Sequence, residues 1–141
     1  MTGGEPPVIA VCGVKNSGKT TLLCGLIPLL TAGGLKVAVV KHDGHDFVPD
    51  VPGTDSFRLR QAGAQGVAVF SARRYMVTVE QPDVALASVI GPLQGADLIL
   101  LEGGKASPFP KIEIVRRAIS EGPVCDPEGL LALCTDTDFS R

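Results

Sequence analysis

The sequence predicts an α/β protein with a mostly parallel sheet, helices on both faces of that sheet, and a short β-hairpin. Three observations support this class. Short apolar runs alternate along the chain with segments whose apolar residues recur every three or four positions. Two of the apolar runs are separated by only a few residues, as in a hairpin. A glycine-rich loop lies between the first apolar run and the first helical segment.

This loop, at residues 13–20, reads Gly-Val-Lys-Asn-Ser-Gly-Lys-Thr. It fits the phosphate-binding loop (P-loop) pattern of Gly, four residues, then Gly-Lys-Ser/Thr. The run before it, residues 8–12, is short enough for a buried strand, and the apolar residues at 21–27 suit a packed helix. Strand, loop and helix in this order make a P-loop NTPase-like fold the specific prediction.

The residue types of the P-loop suit a nucleoside triphosphate with magnesium. Gly13 and Gly18 have no Cβ, so the backbone can turn sharply and point N–H groups at an oxyanion. The following helix adds partial positive charge at its N-terminus. We expect Lys19 to act as a catalytic cation at the β- and γ-phosphates, and the Thr20 hydroxyl to ligate magnesium. The predicted binding loop comprises Gly13, Val14, Lys15, Asn16, Ser17, Gly18, Lys19, Thr20 and Thr21.

The first half of the chain then continues with a strand, a loop and a short helix. Paired glycines after Ala32 end the first helix, inside which Pro28 predicts a kink. Residues 36–41 are predicted to form the second strand, and the polar, proline-bearing residues 42–54 a loop. Residues 55–63 are predicted to form a short capped helix that ends at glycine.

The second half begins with the predicted hairpin, whose strands at residues 66–70 and 75–79 are joined by a basic turn. Proline at a first-turn position, followed by apolar residues at three- and four-residue intervals, predicts a helix over residues 82–90. The last three strands are expected at residues 97–102, 111–115 and 130–134. Because ligands of such sheets bind at the carboxyl ends of the strands, side chains that follow strands are candidate site residues.

Glu102 ends the apolar strand at residues 97–102 and is followed by two glycines. In a P-loop protein an acid at that place holds magnesium, usually through water, or orients an attacking water molecule. We therefore expect Glu102 to be catalytic and to serve the metal together with Thr20. The alternative is a solvated acid at a strand end. Asp97 begins the strand and would face the opposite end of the sheet, as a turn or cap residue.

Residues 41–46, Lys-His-Asp-Gly-His-Asp, follow the second strand directly. Since they lie at the sheet end where phosphates are expected, Lys41, His42 and Asp43 are predicted to contact the nucleotide, its metal ion or a second anionic substrate. Two alternatives stay open. The two histidines with their neighbouring acids could bind a transition metal, or the segment could be a solvated loop.

Two arginines on the helix at residues 55–63 form a third candidate group. Arg58 and Arg60 lie two positions apart, so they diverge on a helix and do not address one ligand. Arginine forms paired hydrogen bonds to phosphate and carboxylate, which makes either one a candidate to reach an acidic group. Ordinary surface charge is the alternative.

Size and composition predict a single domain over residues 1–141. With 45% apolar and 20% charged residues the composition is that of a soluble protein, and no apolar stretch is long enough to cross a bilayer. A net charge of −2 gives no broad basic field for nucleic acid or anionic membranes. The N-terminal residues carry neither a secretory signal nor an anchor, so a cytoplasmic location is expected. The four cysteines never stand at two-residue spacing, so neither a zinc cluster nor a disulfide framework is expected.

Together these residues resemble the MobB family, molybdopterin-guanine dinucleotide biosynthesis protein B. The resemblance rests on successive motifs in the family's order, at residues 13–22, 39–47, 52–58, 62–64, 101–105 and 110–116. Each motif other than the P-loop is common, whereas their combination is specific. The family usually has an aromatic residue where Gly104 stands, and a chain that ends at Arg141 is expected to lack the family's final strand and helix.

The resemblance implies a homodimeric, cytoplasmic protein that binds GTP and magnesium and assists the guanylylation of molybdenum cofactor. By match to the family's motifs, residues 13–21 would bind GTP, Glu102 would serve the metal, and segments 42–46 and 55–58, including Asp55 and Arg58, would line a cleft between subunits. The implied partners are molybdopterin, as a bound substrate, and the MobA guanylyltransferase, which performs the nucleotidyl transfer. Weak GTP hydrolysis and an adaptor role beside MobA are the implied activities. Asp136 and Asp138, after the last strand, are candidates for a carboxylate that recognises guanine.

Two other functions stay open, because the P-loop addresses phosphates and magnesium, which GTP and ATP share. A metal-insertion GTPase is favoured by His42, His45 and the cysteines. A small-molecule kinase is favoured by the P-loop and the short chain, although no arginine-rich lid segment is evident. Fast hydrolysis is not predicted, since no cationic finger is evident beyond Lys15, Lys41 and the arginines.

Overall fold

The structure, a computed structural model, describes residues 4–136. In chain order its elements are β1 (Val8–Cys12), α1 (Lys19–Ala32), β2 (Val37–Lys41), α2 (Asp55–Gln61), β3 (Gly66–Phe70), β4 (Tyr75–Val79), α3 (Leu86–Ile90), β5 (Leu98–Glu102), β6 (Lys111–Val115) and β7 (Leu130–Thr135). A single 3-10 turn, Gly91–Leu93, follows α3. None of the described helices is long and apolar enough to cross a membrane.

Five of the strands form a parallel sheet in the order β2-β5-β1-β6-β7. The central strand β1 is flanked by β5 and β6, and its residues Ala10, Val11 and Cys12 are almost completely buried. Strands β3 and β4 form a separate antiparallel hairpin. The predicted class, a mostly parallel sheet with helices plus a short hairpin, is therefore confirmed.

The main core forms between the sheet and α1. Val11, Leu100 and Ile114 from the three central strands pack with Leu23 of α1. Half-buried apolar residues surround them: Ile9, Leu22, Leu26, Ile27, Leu30, Val37, Leu98, Ile112 and Cys134. Because α1 is fixed to the sheet by this contact, its N-terminus, and the P-loop that precedes it, are held at the carboxyl edge of β1.

The described chain divides into two compact units. The first comprises the described residues of Met1–His42 and Ala87–Arg141 and contains the parallel sheet with α1. The second is Asp43–Leu86 and contains α2 and the hairpin. The prediction of a single domain over residues 1–141 stays a prediction.

Most predicted elements match the observed ones within two residues, but the third helix does not. Residues 82–90 were predicted to be helical, whereas α3 begins at Leu86. Asp83 adopts a left-handed conformation with φ 52°, which cannot continue a right-handed helix. Asp97 caps the neighbouring strand as expected, because its Oδ2 accepts a hydrogen bond of 2.7 Å from the Lys36 amide.

Candidate nucleotide-binding site

The P-loop joins the end of β1 to the first turn of α1. A Cβ on Gly13 would lie 2.7 Å from the carbonyl oxygen of Ile114 and 2.7 Å from Ser17 Oγ, so no other residue fits there without a backbone shift. Gly18 caps α1 with φ 101°, a left-handed conformation that costs glycine little. The first turn of α1 carries no acidic side chain, so the positive end of the helix is left to act on an external anion.

The contacts of Lys19 and Ser17 suit an anion at this loop. Lys19 Nζ donates hydrogen bonds to the carbonyl oxygens of Gly13 (3.0 Å) and Val14 (3.4 Å), which holds the ammonium group against the loop. Ser17 is 1% exposed, and its Oγ has no hydrogen-bond partner within residues 4–136. A buried hydroxyl without a partner is unusual, and a phosphate oxygen at the loop would supply one.

Thr20 and Glu102, the two residues expected to serve magnesium, are in direct contact. Thr20 Oγ1 donates a hydrogen bond of 2.8 Å to Glu102 Oε1, although 82 residues separate them in the sequence. Glu102 is the last residue of β5 and only 9% exposed. A hydroxyl and a carboxylate oxygen side by side are ligands that Mg²⁺ prefers, so the pair fits this ion.

Lys41 and His42 lie beside Glu102 at the same edge of the sheet. The β2–β5 register pairs Lys41 with Glu102, and the His42 amide donates a hydrogen bond of 3.2 Å to the Glu102 carbonyl oxygen. Both residues are exposed. The structure therefore brings these two predicted residues to the edge of the sheet that carries the P-loop.

A cavity of about 420 Å³ adjoins the P-loop on the opposite side from Glu102, at the ends of β6 and β7. Its lining residues are Ser17, Gly18, Thr21, Leu22, Ile114, Arg116, Cys134, Thr135 and Asp136. Asp136 is held in place because its Oδ1 accepts a hydrogen bond of 2.8 Å from the Arg117 amide. Asp138, the other candidate for guanine recognition, lies outside the described residues.

Three predicted site residues, Asp43, Asp55 and Arg58, belong to the second compact unit, where all are exposed. Asp43 accepts a hydrogen bond of 3.2 Å from the His45 amide, which closes a local turn. Asp55 is the first residue of α2, where a negative charge suits the helix dipole. Their assignment to the nucleotide site stays a prediction.

Arg60, rather than Arg58, is the arginine of α2 that reaches acidic groups. Its guanidinium lies 3.0 Å from Asp50 Oδ1 and 3.7 Å from Glu80 Oε1, and its central carbon is 5.7 Å from the centre of the Phe57 ring. The Asp50 side chain is 5% exposed. Arg60 therefore stabilises the second unit internally.

Lys111 is a buried charged residue that the sequence pattern did not single out. It begins β6, is 3% exposed, and donates to the carbonyl oxygens of Phe109, at 2.8 Å, and Ser107. These bonds close the loop that follows Glu102. Nothing in the local sequence distinguishes Lys111 from an exposed lysine at a strand start.

Glu113 is a second buried charge on β6 that sequence reasoning missed. It is completely buried and accepts hydrogen bonds from the amides of Val124 (2.6 Å) and Cys125 (3.3 Å). It therefore fixes the β6–β7 connection to the sheet. The alternation Lys-Ile-Glu-Ile resembles a strand with one solvated face, whereas this strand is covered by its neighbours.

Comparison with known proteins places the chain in one family. Residues 8–136 match the family model described as Molybdopterin guanine dinucleotide synthesis protein B. A relative from Haemophilus influenzae, named molybdopterin-guanine dinucleotide biosynthesis adapter protein, is 35% identical over 133 residues, which are 92% of this chain and 75% of that protein. A relative of the same name from Escherichia coli K12 is 39% identical over 123 residues, or 83% of this chain and 70% of that protein.

Solved structures of the same family resemble this fold. The crystal structure of Bacillus subtilis MobB superimposes with a TM-score of 0.66 at 31% identity, covering 92% of this chain and 76% of that chain. The likeness extends over both the sequence and the fold, and the family resemblance found in the sequence motifs is confirmed. The chain belongs to the molybdopterin guanine dinucleotide synthesis protein B family.

Proposed function

We propose that this protein is a GTP-binding accessory protein of molybdenum cofactor biosynthesis that works beside a MobA-like guanylyltransferase. The names of its relatives, biosynthesis adapter proteins for molybdopterin-guanine dinucleotide, support the pathway. The hydrogen bond between Thr20 and Glu102 carries the proposal of nucleotide binding, because it joins the P-loop helix to the acid-bearing strand. The guanylyltransferase performs the chemistry of transfer, and this chain presents nucleotide or cofactor to it.

The phosphates of GTP bind along the P-loop in the proposed complex. The ammonium of Lys19 neutralises phosphate charge, and the unpartnered Ser17 hydroxyl donates to a phosphate oxygen. Thr20 and Glu102 hold magnesium, which neutralises further phosphate charge when bound. Proteins that offer only this set of groups hydrolyse GTP slowly, so the activity is at most a weak GTPase.

The cavity beside the P-loop takes the guanosine part of the nucleotide. Asp136 supplies a carboxylate at its rim, and the Arg117 amide fixes the orientation of that carboxylate. The N1 and N2 positions of guanine carry N–H donors, whereas the N1 of adenine is an acceptor. A fixed carboxylate therefore attracts guanine and repels adenine at this edge of the base.

The second copy of the chain in the proposed homodimer packs on the hairpin. This hairpin exposes an unusual number of large apolar side chains, among them Phe70 (83% exposed), Tyr75 (62%), Val77 (54%) and Val79 (52%). Exposed apolar surface of this kind marks an interaction site. Two copies of the same surface can cover each other with twofold symmetry.

The alternative functions gain no support from a specific group. Within residues 4–136 no cluster of three or more His, Cys, Asp and Glu side chains is arranged to hold a metal ion. The kinase alternative uses the same P-loop. Preference for ATP over GTP would favour it over the main proposal.

Binding to a MobA-like guanylyltransferase tests the proposed function. The purified chain is titrated into that enzyme by calorimetry, with and without GTP and magnesium. We expect a saturable complex that GTP strengthens for the wild type but not for Lys19→Ala. Lys36→Ala, which removes an exposed lysine at the opposite end of the sheet, is the control and should bind like the wild type. Absence of a complex under all these conditions would contradict the adaptor role.

A further inference from the structure

Cys12 and Cys125 lie side by side next to the P-loop. Their Sγ atoms are 2.7 Å apart, although 113 residues separate them in the sequence, and both thiols are free and buried. Cys12 ends β1 immediately before Gly13, and Cys125 lies in the connection between β6 and β7. The pair therefore joins the strand that carries the P-loop to the connection beside the cavity.

The backbone on both sides of this pair is already fixed. Cys12 is paired with Glu113 in the β1–β6 register, and Glu113 in turn accepts the amide hydrogens of Val124 and Cys125. An S–S bond is about 2.05 Å long, so the sulfur atoms need to approach by less than about 1 Å.

We propose that Cys12 and Cys125 are a dithiol site that small disulfides convert into an intramolecular disulfide. The Cys125 thiolate attacks one sulfur of the reagent disulfide, and the other sulfur of the reagent leaves as a thiolate. Cys12 Sγ then attacks Cys125 Sγ and expels the second reagent thiol. Two electrons pass from the protein to the reagent, and the two protein protons end on the reagent thiols. Reduction by an excess of thiol reverses both steps.

The surroundings make this pair of thiols slow to react. Burial raises the pKa of Cys12, and burial together with the neighbouring thiol raises the pKa of Cys125 to about 12. Little thiolate is present at neutral pH, so attack on a disulfide reagent is slow. Cys125 is 7% exposed and follows Val124, which is 46% exposed, whereas Cys12 is 1% exposed. Cys125 is therefore the sulfur that meets the reagent first.

Closure of the disulfide stiffens the region around the cavity. It ties the connection that carries Arg116 and Arg117 to the strand that ends at the P-loop. A cross-link that closes a loop of this length lowers the conformational entropy of the unfolded chain strongly. The melting temperature of the oxidised protein should therefore rise by about 5–15 °C. This consequence is independent of which nucleotide the protein binds.

The test uses the wild-type chain in buffers that contain reduced and oxidised dithiothreitol in varied ratio. After equilibration and alkylation of free thiols, the protein is digested and the peptides are mapped by mass spectrometry. Cleavage after Glu128 separates Cys125 from Cys134, and cleavage after Lys15 separates Cys12 from Cys24. We expect a Cys12–Cys125 cross-linked peptide, lighter by two hydrogen atoms than the two free peptides, that disappears on reduction.

Matched variants show whether the bond is specific. Cys24→Ser removes the exposed thiol and so prevents disulfide-linked dimers from forming through it. In that background Cys134→Ala should retain the oxidation-dependent rise in melting temperature, and Cys125→Ala should lose it. The proposal is overturned if the native protein yields only disulfide-linked dimers or mixed disulfides through Cys24. It is also overturned if the cross-linked Cys12–Cys125 peptide forms only in urea. The wild-type mapping decides this even if a variant fails to fold.

Discussion

Thr20 is the residue at which the P-loop helix and the acid-bearing strand meet. Its hydroxyl donates to a carboxylate that is only 9% exposed, and a hydrogen bond to a charged group contributes about 1.5–3 kcal/mol. Thr20→Ala should therefore lower the free energy of unfolding by about that amount in the absence of nucleotide. Urea denaturation followed by circular dichroism measures it.

Two neighbouring variants control this measurement. Thr20→Ser keeps the hydroxyl and should recover most of the loss. Thr21→Ala removes an exposed hydroxyl of the next residue and should change stability by less than about 0.5 kcal/mol. Equal losses in Thr20→Ala and Thr21→Ala would mean that the contact with Glu102 does not stabilise the fold.

The buried thiols predict a loss of stability at alkaline pH. The pKa of Cys12 is raised, and that of Cys125 is raised from 9.0 to about 12. Above pH 9 the unfolded chain releases these protons while the folded chain keeps them, so the unfolded state binds fewer protons and stability falls as pH rises. For Cys125 the contribution is complete below about pH 9 and is lost progressively towards pH 12, by up to about 1.4 kcal/mol per pH unit. The raised pKa of Cys12 acts in the same direction.

Urea denaturation between pH 8 and pH 11 under reducing conditions checks this dependence. Cys125→Ala should show a shallower decline than the wild type. Cys24→Ala, which removes an exposed thiol, should follow the wild type. Identical slopes for all three proteins would contradict the assignment of the decline to the buried pair.

The residues of the P-loop and the acid at the end of β5 could be located from the sequence, whereas the contact between two distant cysteines could not. Gly13, Gly18, Lys19 and Thr20 lie in one continuous segment whose spacing predicts a phosphate-binding loop. The contact between Cys12 and Cys125 joins positions 113 residues apart, and no periodicity encodes it. The spacing of the four cysteines predicts neither a zinc cluster nor a permanent disulfide framework. A reversible bond between two of them depends on the fold and not on this spacing.

Among the elements, β6 combines a structural role with a place beside the candidate site. Its buried Glu113 accepts the amides of Val124 and Cys125. Glu113→Ala would leave both amides without this acceptor and should lower the free energy of unfolding by about 2–5 kcal/mol. Thermal or urea unfolding of the reduced protein measures the loss.

Glu113→Gln separates hydrogen bonding from charge. The amide oxygen of glutamine can still accept, so this variant should lose less than half as much stability as Glu113→Ala. If the two variants are equally destabilised, the carboxylate charge rather than the two hydrogen bonds holds the β6–β7 connection.

Element prediction succeeded where local pattern and tertiary structure agree. The hairpin matches residue for residue, because two alternating runs and a short turn specify antiparallel pairing without help from the rest of the chain. Helix α3 starts later than predicted because Asp83 adopts a left-handed conformation. The spacing of apolar residues carries no information about that conformation. The order of strands in the sheet likewise depends on contacts between distant segments.

At the level of the whole molecule, the exposed hairpin predicts self-association. Phe70, 83% exposed, should be buried against a second copy, so Phe70→Ser should weaken the dimer by about 10-fold to 100-fold through lost apolar contact. Sedimentation velocity over a range of protein concentrations measures the dissociation constant. Leu29→Ser, which replaces a residue of α1 that is 72% exposed, is the control and should leave the dimer unchanged. A monomeric wild type at all concentrations would contradict the proposed interface.

Calorimetric titration of the purified chain with GTP and with ATP, each with magnesium, is the direct test of guanine-nucleotide binding at the P-loop. We expect GTP to bind more tightly than ATP. Lys19→Ala should weaken GTP binding by about 10-fold to 100-fold, and Asp136→Asn should narrow the difference in affinity between the two nucleotides. Lys36→Ala should bind like the wild type. Preference for ATP would contradict the proposed function and favour the kinase alternative. GTP binding that survives Lys19→Ala unchanged would contradict binding at the P-loop.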